Sequence, residues 1–285
     1  MSQFSLSPAA NVGPVALTVQ SLERTLALYR DVLGMQVLPA QDADAVLAVN
    51  DVPLFQLTVN RVAHKRPVRA TGLYHAAILT PSRLDLARTL MRLFQADYPL
   101  QGAADHLVSE ALYLADPDGN GLEIYADRPR EQWQRDRQQQ VRMTTDPLDM
   151  EGLLALLEHD KQPWTGLAAG THIGHVHLQV NDIRQAEAFY CAVLGFDLML
   201  RFGPSALFVA VGGYHHHLGF NTWNSMGAAP PPLDTVGLRY YTIRLPDAAE
   251  RQRVAARLTE QQIDFAARAD GLFLHDPAGN GILIQ

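Results

Sequence analysis

The sequence is poor in cysteine, and this absence excludes several kinds of site. Of its 285 residues, only Cys191 carries a thiol. A single cysteine cannot form an intramolecular disulfide, and it cannot supply the sulfur ligands of a structural zinc site or an iron–sulfur cluster. A chain without disulfides fits the reducing cytosol, so we expect a cytoplasmic protein.

Three further absences narrow the choice of partners and of location. Lys and Arg number 23 against 30 for Asp and Glu, and the formal net charge of −7 leaves no basic stripe for nucleic acid or an anionic membrane. No run of about 18 apolar residues is present. Residues 1–14 lack the charged-then-apolar order of a signal peptide. We therefore expect neither a nucleic-acid partner nor a membrane partner.

What the sequence does contain is an internal duplication. Residues 12–38 resemble residues 173–200, and the turn sequence DPDGNGLEI at 116–124 returns as DPAGNGILI at 276–284. Each half divides again, because the strand-like stretch GPVAL resembles YHAAI further along the same half. The chain is therefore built from four related modules of about 55 residues each.

Each module shows the pattern of a strand, a helix and then further strands. In the first module, Leu22, Leu26, Tyr29 and Leu33 recur at the spacing of one helix face, and Gly34 suits the left-handed end of that helix. β-Branched stretches around the helix predict strands, and Asp-Pro-x-Gly-Asn-Gly predicts a tight turn. The pattern predicts an α+β fold of four βαβββ modules.

The modules divide the chain into two domains and a connector. Modules 1 and 2 form the first predicted domain, residues 9–127, and modules 3 and 4 form the second, residues 171–285. Residues 128–170 begin with a stretch rich in Gln and Arg and continue with a short apolar helix, predicted at 148–157. We interpret this segment as a long connector and not as a domain.

Paired βαβββ modules with possible metal ligands on their first and last strands resemble the vicinal oxygen chelate superfamily, which includes glyoxalase I, fosfomycin-resistance proteins and type I extradiol dioxygenases. The resemblance covers nearly the whole chain and implies two open, eight-stranded, barrel-like domains. Within the superfamily, the chain is most similar to the CatE-type group of bacterial catechol 2,3-dioxygenases. The stretches that carry this similarity are TGLYHAAIL, SEALYLADPDGNGLEIYADRP and GGYHHHLGFN.

One motif makes the resemblance specific. Extradiol enzymes carry a His, an apolar residue with Tyr, an Asp-Pro turn with Gly and a Glu at set spacings, and the matching residues here are His106, Tyr113, Asp116, Gly119 and Glu123. The resemblance implies an enzyme that cleaves the ring of catechol or a substituted catechol and inserts both atoms of O₂. The expected partners are a small aromatic diol and O₂, and we expect a homo-oligomer.

The resemblance also implies a metal site of two neutral imidazoles and one carboxylate. This ligand set with open positions is typical of non-haem Fe(II) in oxygenases, and Mn(II) is the alternative. Ligands on first and last strands would be His75 and Glu123 in module 2 and His175 in module 3. The equivalent positions of modules 1 and 4 hold the non-ligands Pro14, Tyr240 and Leu283.

Pairing of the modules in chain order leaves this site incomplete in both domains. If module 2 instead pairs with module 3, one barrel collects all three ligands, and modules 1 and 4 form a barrel without ligands. The long connector permits such a crossover, because the entropy of loop closure grows slowly with length. We therefore expect the swapped pairing, either within one chain or between two chains of a dimer.

Three further residues acquire roles from the resemblance. His216 matches a histidine on the last strand of the third module that takes a proton from the catechol and later returns one. Its neighbours His215 and His217 point to the other strand face, so the assignment could shift by one residue. His106 and Tyr113 match hydrogen-bond donors to the bound substrate.

Two other functions fit the same fold. One is a glyoxalase-like isomerase or lyase that uses Ni, Zn or Mn and takes a fourth ligand from Gln or Glu. The only candidate found for that ligand, Gln56, lies in the half-site without histidines. The other is a non-catalytic protein that binds an antibiotic or an aromatic compound. Such a binder is expected to have lost its metal ligands, whereas three are present here.

Overall fold

The computed structural model describes residues 4–40 and 43–285, and every module in it has the predicted order of elements. Module 1 contains β1 (Asn11–Val19), α1 (Leu22–Leu26), β2 (Gln36–Leu38), β3 (Ala45–Val49) and β4 (Val52–Val59). Module 2 contains β5 (Gly72–Leu79), α2 (Arg83–Gln95), β6 (Gly102–Asp105), β7 (Ser109–Ala115) and β8 (Gly121–Asp127).

The second half of the chain repeats this order after the connector. The connector contains a 3₁₀ turn (Arg130–Gln132), β9 (Asp146–Pro147) and α3 (Met150–Ala155). Module 3 contains β10 (His172–Gln179), α4 (Ile183–Glu187), β11 (Asp197–Phe202), β12 (Ala206–Ala210) and β13 (Leu218–Asn221). Module 4 contains β14 (Gly237–Arg244), α5 (Ala248–Glu260), β15 (Ala266–Arg268), β16 (Gly271–His275) and β17 (Gly281–Ile284).

Each of the two curled sheets takes one module from each half of the chain. The nine-stranded sheet has the order β11-β12-β13-β10-β5-β8-β7-β6-β9, and the eight-stranded sheet has the order β15-β16-β17-β14-β1-β4-β3-β2. Their central pairs, β5 with β10 and β1 with β14, are antiparallel. The α+β fold and the pairing of module 2 with module 3 are confirmed, and the pairing occurs within one chain.

The strand count differs from the prediction at one edge. We expected eight strands in each unit, but the backbone of Asp146 and Pro147 pairs with β6 and adds a ninth strand to one sheet. The connector therefore takes part in the sheet that contains modules 2 and 3. Each sheet combines strands from both halves of the chain. The division into domains at 9–127 and 171–285 describes the sequence repeat and stays a prediction.

The first helix of module 1 changes from an α-helix to a π-helix partway along its length. Ser21 caps its N-terminus, and α1 then continues as a π-helical segment (Ala27–Val32) that brings the neighbouring residues Leu28 and Tyr29 together into the core. Module 3 repeats this arrangement. We predicted an ordinary helix here, and the apolar spacing alone could not show the wider turn. Gly34 ends the segment with a φ of 72°, as expected.

The turn before β8 is held by its own side chains. Oδ1 of Asp116 accepts hydrogen bonds from the backbone N–H groups of Asp118 and Asn120, at 2.9 and 2.8 Å. Gly119 has a φ of 87°, which residues with a Cβ rarely adopt. Gly121 starts the strand where a Cβ would lie 2.0 Å from the backbone oxygen of Tyr74. These constraints fix where β8 begins and therefore where Glu123 lies.

The rest of the connector runs mostly over the surface, and Val141 and Leu153 are its fully buried anchors. Its helix spans Met150–Ala155, shorter than the predicted 148–157, and Leu153 is buried against the main core. Asp149 caps the helix by accepting a hydrogen bond from the backbone N–H of Gly152. Among residues 4–40 and 43–285, no helix is both long enough and apolar enough to span a bilayer.

Candidate active site

A cavity of about 230 Å³ opens on the nine-stranded sheet. Its lining combines histidines with aromatic and small side chains from both halves and from the connector: Tyr74, His75, His106, Tyr113, Glu123, Met143, Thr144, Thr145, His175, His177, Phe202, Phe208, His216 and Trp223. All six residues singled out from the sequence are among them. The cavity is therefore where the site residues meet.

The sheet register brings the three predicted metal ligands together. Strand β5 lies between β8 and β10, and its residue Ala77 is opposite Glu123 on one side and His175 on the other. His75 lies two residues before Ala77 and so projects from the same face. The small side chain of Ala77 leaves this face open, and the three ligands surround the space above it.

The spacing of the ligand atoms fits a single metal ion. Oε2 of Glu123 lies 2.9 Å from Nε2 of His75 and 3.2 Å from Nε2 of His175. Two ligand atoms that are each about 2.1 Å from one ion, at a right angle, are about 3.0 Å apart. All three residues are buried, and their ligand atoms lie within 4.8 Å of one another. The triad could therefore hold a metal ion.

Two buried nitrogens of this group, Nδ1 of His175 and Nε2 of His75, have no hydrogen-bond partner among the described residues. Nε2 of His75 is buried, and its 2.9 Å contact with Glu123 does not have the angle of a hydrogen bond. A buried polar atom without a partner costs about 1–3 kcal/mol. Coordination of a cation would satisfy Nε2 of His75 and would also compensate the buried charge of Glu123.

Burial keeps His175 and His177 neutral. It lowers the pKa of His175 to about 4, although the Glu123 carboxylate acts in the opposite direction. Burial, with the nearby His75 and His175, also holds the pKa of His177 well below its usual value. Neutral imidazole is the form that coordinates metals, so His175 needs no proton loss near pH 7 to act as a ligand.

The histidine triplet lies just before a strand and not within one, which corrects the prediction that His216 lies on the last strand of module 3. Gly212 and Gly213 have φ values of 60° and 70°, and this turn interrupts the extended chain until β13 begins at Leu218. The three imidazoles therefore do not simply alternate between two faces. His216 lines the cavity, and its ring centre lies 4.1 Å from that of His175.

His106 and Tyr113 form a hydrogen-bonded pair at the cavity wall. Nδ1 of His106 lies 2.6 Å from the backbone oxygen of Thr144, which can only accept, so this nitrogen carries the proton. Nε2 of His106 then accepts from the Tyr113 hydroxyl at 2.6 Å. Burial, with the charge of Glu123, raises the pKa of Tyr113 well above its usual value, so the phenol stays protonated.

Several lining residues were not identified from the sequence. The aromatic residues Phe202, Phe208 and Trp223 come from strands or loops of module 3, and Met143 comes from the connector. Nothing distinguishes these residues from ordinary core residues in one sequence. His177 could be suspected because it lies two residues after His175 on the same strand face, and it does line the cavity.

The fold and the triad define a class of protein, and the sequence comparison agrees. The profile of the Glyoxalase/Bleomycin resistance protein/Dioxygenase superfamily matches residues 11–124 and 172–282. The chain belongs to this superfamily. A curated relative, catechol-2,3-dioxygenase from Bacillus subtilis (strain 168), is 44% identical over 282 residues, which are 98% of this chain and 98% of the relative.

Solved structures show the same architecture. Glyoxalase I from Zea mays has a TM-score of 0.59 at 16% identity, with 97% of this chain and 92% of the maize chain covered. The cppA protein from Streptococcus pneumoniae TIGR4 has a TM-score of 0.56 at 11% identity, covering 96% of this chain and 99% of that chain. At these identities the likeness is one of fold.

Proposed function

We propose that this protein is an extradiol ring-cleaving dioxygenase that uses non-haem Fe(II) held by His75, Glu123 and His175. The observation that carries the proposal is the buried triad of two imidazoles and one carboxylate, which fits one ion and opens on an apolar cavity. The full-length relative named catechol-2,3-dioxygenase supports the same reaction. The predicted homo-oligomer and cytoplasmic location stay predictions.

The substrates would be a catechol and O₂. Fe(II) held by His75, Glu123 and His175 would supply the Lewis-acid and redox chemistry that allows a catechol to react with O₂. The carbon–carbon bond next to the diol breaks, and both oxygen atoms of O₂ enter the product, a muconic semialdehyde. No atom is lost, and the protein has to move only protons between the substrate and the cavity wall.

The residues of the wall suit this task. His216 borders the cavity, and burial with the neighbouring His175 holds its pKa well below the usual value, so that the imidazole is neutral and can accept a proton. On the opposite side, the Tyr113 hydroxyl donates to His106, so its oxygen can accept a hydrogen bond from a bound diol. The aromatic side chains exclude water around the ring.

The glyoxalase-like alternative receives no support from the geometry of the site. Gln56, its candidate fourth ligand, belongs to the eight-stranded sheet and accepts a hydrogen bond from the Tyr240 hydroxyl at 2.7 Å. The triad lies in the other sheet. A non-catalytic binder does not require a buried carboxylate between two imidazoles, so the dioxygenase remains the function that the site supports best.

Reconstitution with metals tests the proposal directly. Metal-free protein loaded anaerobically with Fe(II) and then given catechol and air is expected to form a yellow ring-opened product and to consume one O₂ per catechol. Mn(II), Ni(II) and Zn(II) are loaded in parallel. Absorbance and an oxygen electrode measure the outcome. Turnover with Ni(II) or Zn(II) of a thiol adduct of methylglyoxal, without oxygen uptake, would instead establish the isomerase.

The cavity also predicts which catechols are accepted. None of its lining residues is Lys or Arg, and its walls include Phe202, Phe208 and Trp223. A carboxylate on the ring would lose water there without gaining a cation, which costs several kcal/mol. We expect kcat/KM for 4-methylcatechol to exceed that for 3,4-dihydroxybenzoate by at least about 10²-fold.

A single substitution checks this explanation. Phe202 is 43% exposed at the cavity mouth, so Phe202→Arg can place a cation there without burying it. The variant is expected to narrow the ratio between the two substrates about tenfold, mainly through KM for the carboxylated ring. An unchanged ratio, or wild-type preference for the carboxylated substrate, would contradict an apolar substituent site.

A further inference from the structure

A chain of hydrogen bonds leads from the cavity wall back to a carboxylate that does not line the cavity. Nδ1 of His216 lies 2.8 Å from Nδ1 of His215, and Nε2 of His215 lies 2.8 Å from Oδ1 of Asp127. The side chain of His215 is completely buried and that of Asp127 is 24% exposed. Neither residue borders the cavity.

The chemistry of these groups fixes where the protons lie. An ionised carboxylate can only accept, so Nε2 of His215 donates to Asp127. A His215 ring that carries only this one proton has a bare Nδ1, which must accept from Nδ1–H of His216. Nε2 of His216 is left without a proton, and within the described part of the chain it has no hydrogen-bond partner. With Asp127 ionised and a single proton on His215, each bond in the chain has one donor and one acceptor only in this arrangement.

Neighbouring aromatic rings and strand β8 hold the hydrogen-bonded residues Asp127, His215 and His216 in place. The ring of Tyr214 lies over His215 with centres 4.1 Å apart and a 33° tilt, and the ring of Trp133 packs at 5.1 Å. Nε1 of Trp133 donates to the backbone oxygen of Arg128 at 2.9 Å. Asp127 ends β8, the same strand that carries Glu123. One strand therefore positions both the proposed metal ligand and the start of the hydrogen-bond chain.

We infer that Asp127 and His215 are positioning residues that lock His216 in the tautomer whose bare Nε2 is available to the cavity. The inference rests on the proposed function, in which His216 accepts a proton from the bound catechol. Without the Asp127–His215 pair, His216 could turn a protonated nitrogen toward the substrate. A donor in that place cannot take a proton.

Asp127→Asn tests the inference because an amide can reverse every bond of the chain. The amide N–H would donate to Nε2 of His215, whose Nδ1–H would donate to Nδ1 of His216, and Nε2 of His216 would carry the proton. We expect ¹⁵N NMR of the imidazoles in metal-free protein to show this exchanged tautomer. With Fe(II) and catechol, we expect kcat to fall about 10–100-fold with KM nearly unchanged.

Two further variants make the result decisive. Asp127→Glu keeps an acceptor and is expected to retain the wild-type tautomer and most of kcat. Asp160→Asn makes the same chemical exchange in the connector, at a carboxylate that pairs with Arg88. It is expected to change neither the tautomer of His216 nor kcat. Equal fold and metal content, checked by circular dichroism and metal analysis, show that Asp127→Asn acts through the tautomer.

The tautomer of His216, measured by NMR in metal-free protein, tests this inference independently of the proposed function. A wild-type His216 that carries its proton on Nε2, or an Asp127→Asn variant with unchanged kcat, would overturn the inference. A wild-type protein with the expected tautomer but without ring cleavage would overturn the proposed function and would still establish how His216 is held.

Discussion

Glu123→Gln is expected to reduce ring-cleavage activity by at least about 10³-fold, because the metal contributes several kcal/mol to the reaction. The amide has nearly the shape of the carboxylate but lacks its charge, so only neutral ligands would remain around the cation. Nε2 of His75 and Nε2 of His175, at 2.9 and 3.2 Å from the replaced oxygen, would face a dipole instead. We expect the affinity for Fe(II), measured by anaerobic titration, to fall about 10²-fold or more.

A second buried glutamate serves as the control. Glu110 on β7 is 4% exposed and pairs with Arg83 and Arg128, outside the cavity. Glu110→Gln is expected to lower the free energy of unfolding by about 1–3 kcal/mol while metal content stays at the wild-type level. If Glu123→Gln kept full metal affinity, or if Glu110→Gln lost it equally, Glu123 would not be a ligand.

Gly174→Ala is expected to give a large loss of stability together with a disturbance of the proposed metal site. A Cβ at this position of β10 would lie 1.9 Å from the hydroxyl oxygen of Tyr125 and 3.0 Å from Cβ of Leu79. The Tyr125 ring packs 4.8 Å from the His175 ring, so a displaced Tyr125 would move a proposed ligand. Overpacking of this kind costs about 1–3 kcal/mol. Urea unfolding and Fe(II) titration measure the two effects.

The position of the clash can be tested with a second substitution. Tyr125→Phe removes the oxygen that the new methyl group would meet, at the expense of its 2.8 Å hydrogen bond with Tyr214. The double variant is therefore expected to be less destabilised than the sum of the single ones. Gly102→Ala, in a strand where a Cβ would meet nothing within 4 Å, is expected to change stability by no more than about 0.5 kcal/mol. If the destabilisations caused by Gly174→Ala and Tyr125→Phe were additive, the Tyr125 hydroxyl would not be the group that clashes with the new methyl group.

Much of the fold could be predicted because the chain repeats itself. The duplication defined four modules, and the asymmetry between repeats singled out the proposed ligands, since Glu123 stands where its repeat has Leu283 and His175 stands where its repeat has Pro14. Swapped pairing followed from the requirement that three ligands meet at one ion. The register of β5 with its neighbours in the nine-stranded sheet shows this pairing.

Other features of the site depend on contacts that one sequence does not encode locally. The hydrogen bond between His106 and the backbone oxygen of Thr144 joins the connector to module 2. No sequence pattern near either residue predicts this contact. The turn at Gly212 and Gly213 changed the orientation expected for the histidine triplet. The aromatic wall combines residues that look like ordinary core positions. Long-range packing decided each of these cases.

The pairing of β5 with β10 has a consequence for synthesis on the ribosome. His75 and Glu123 emerge early, whereas His175 and the strand partner of β5 follow only after the connector. Until then, β5 has an unpaired edge and two ligands without the third, a state in which a nascent chain is open to mispairing and to capture of the wrong ion. Synthesis of module 3, and not the folding of the first half alone, therefore sets the earliest moment at which the proposed metal site can form.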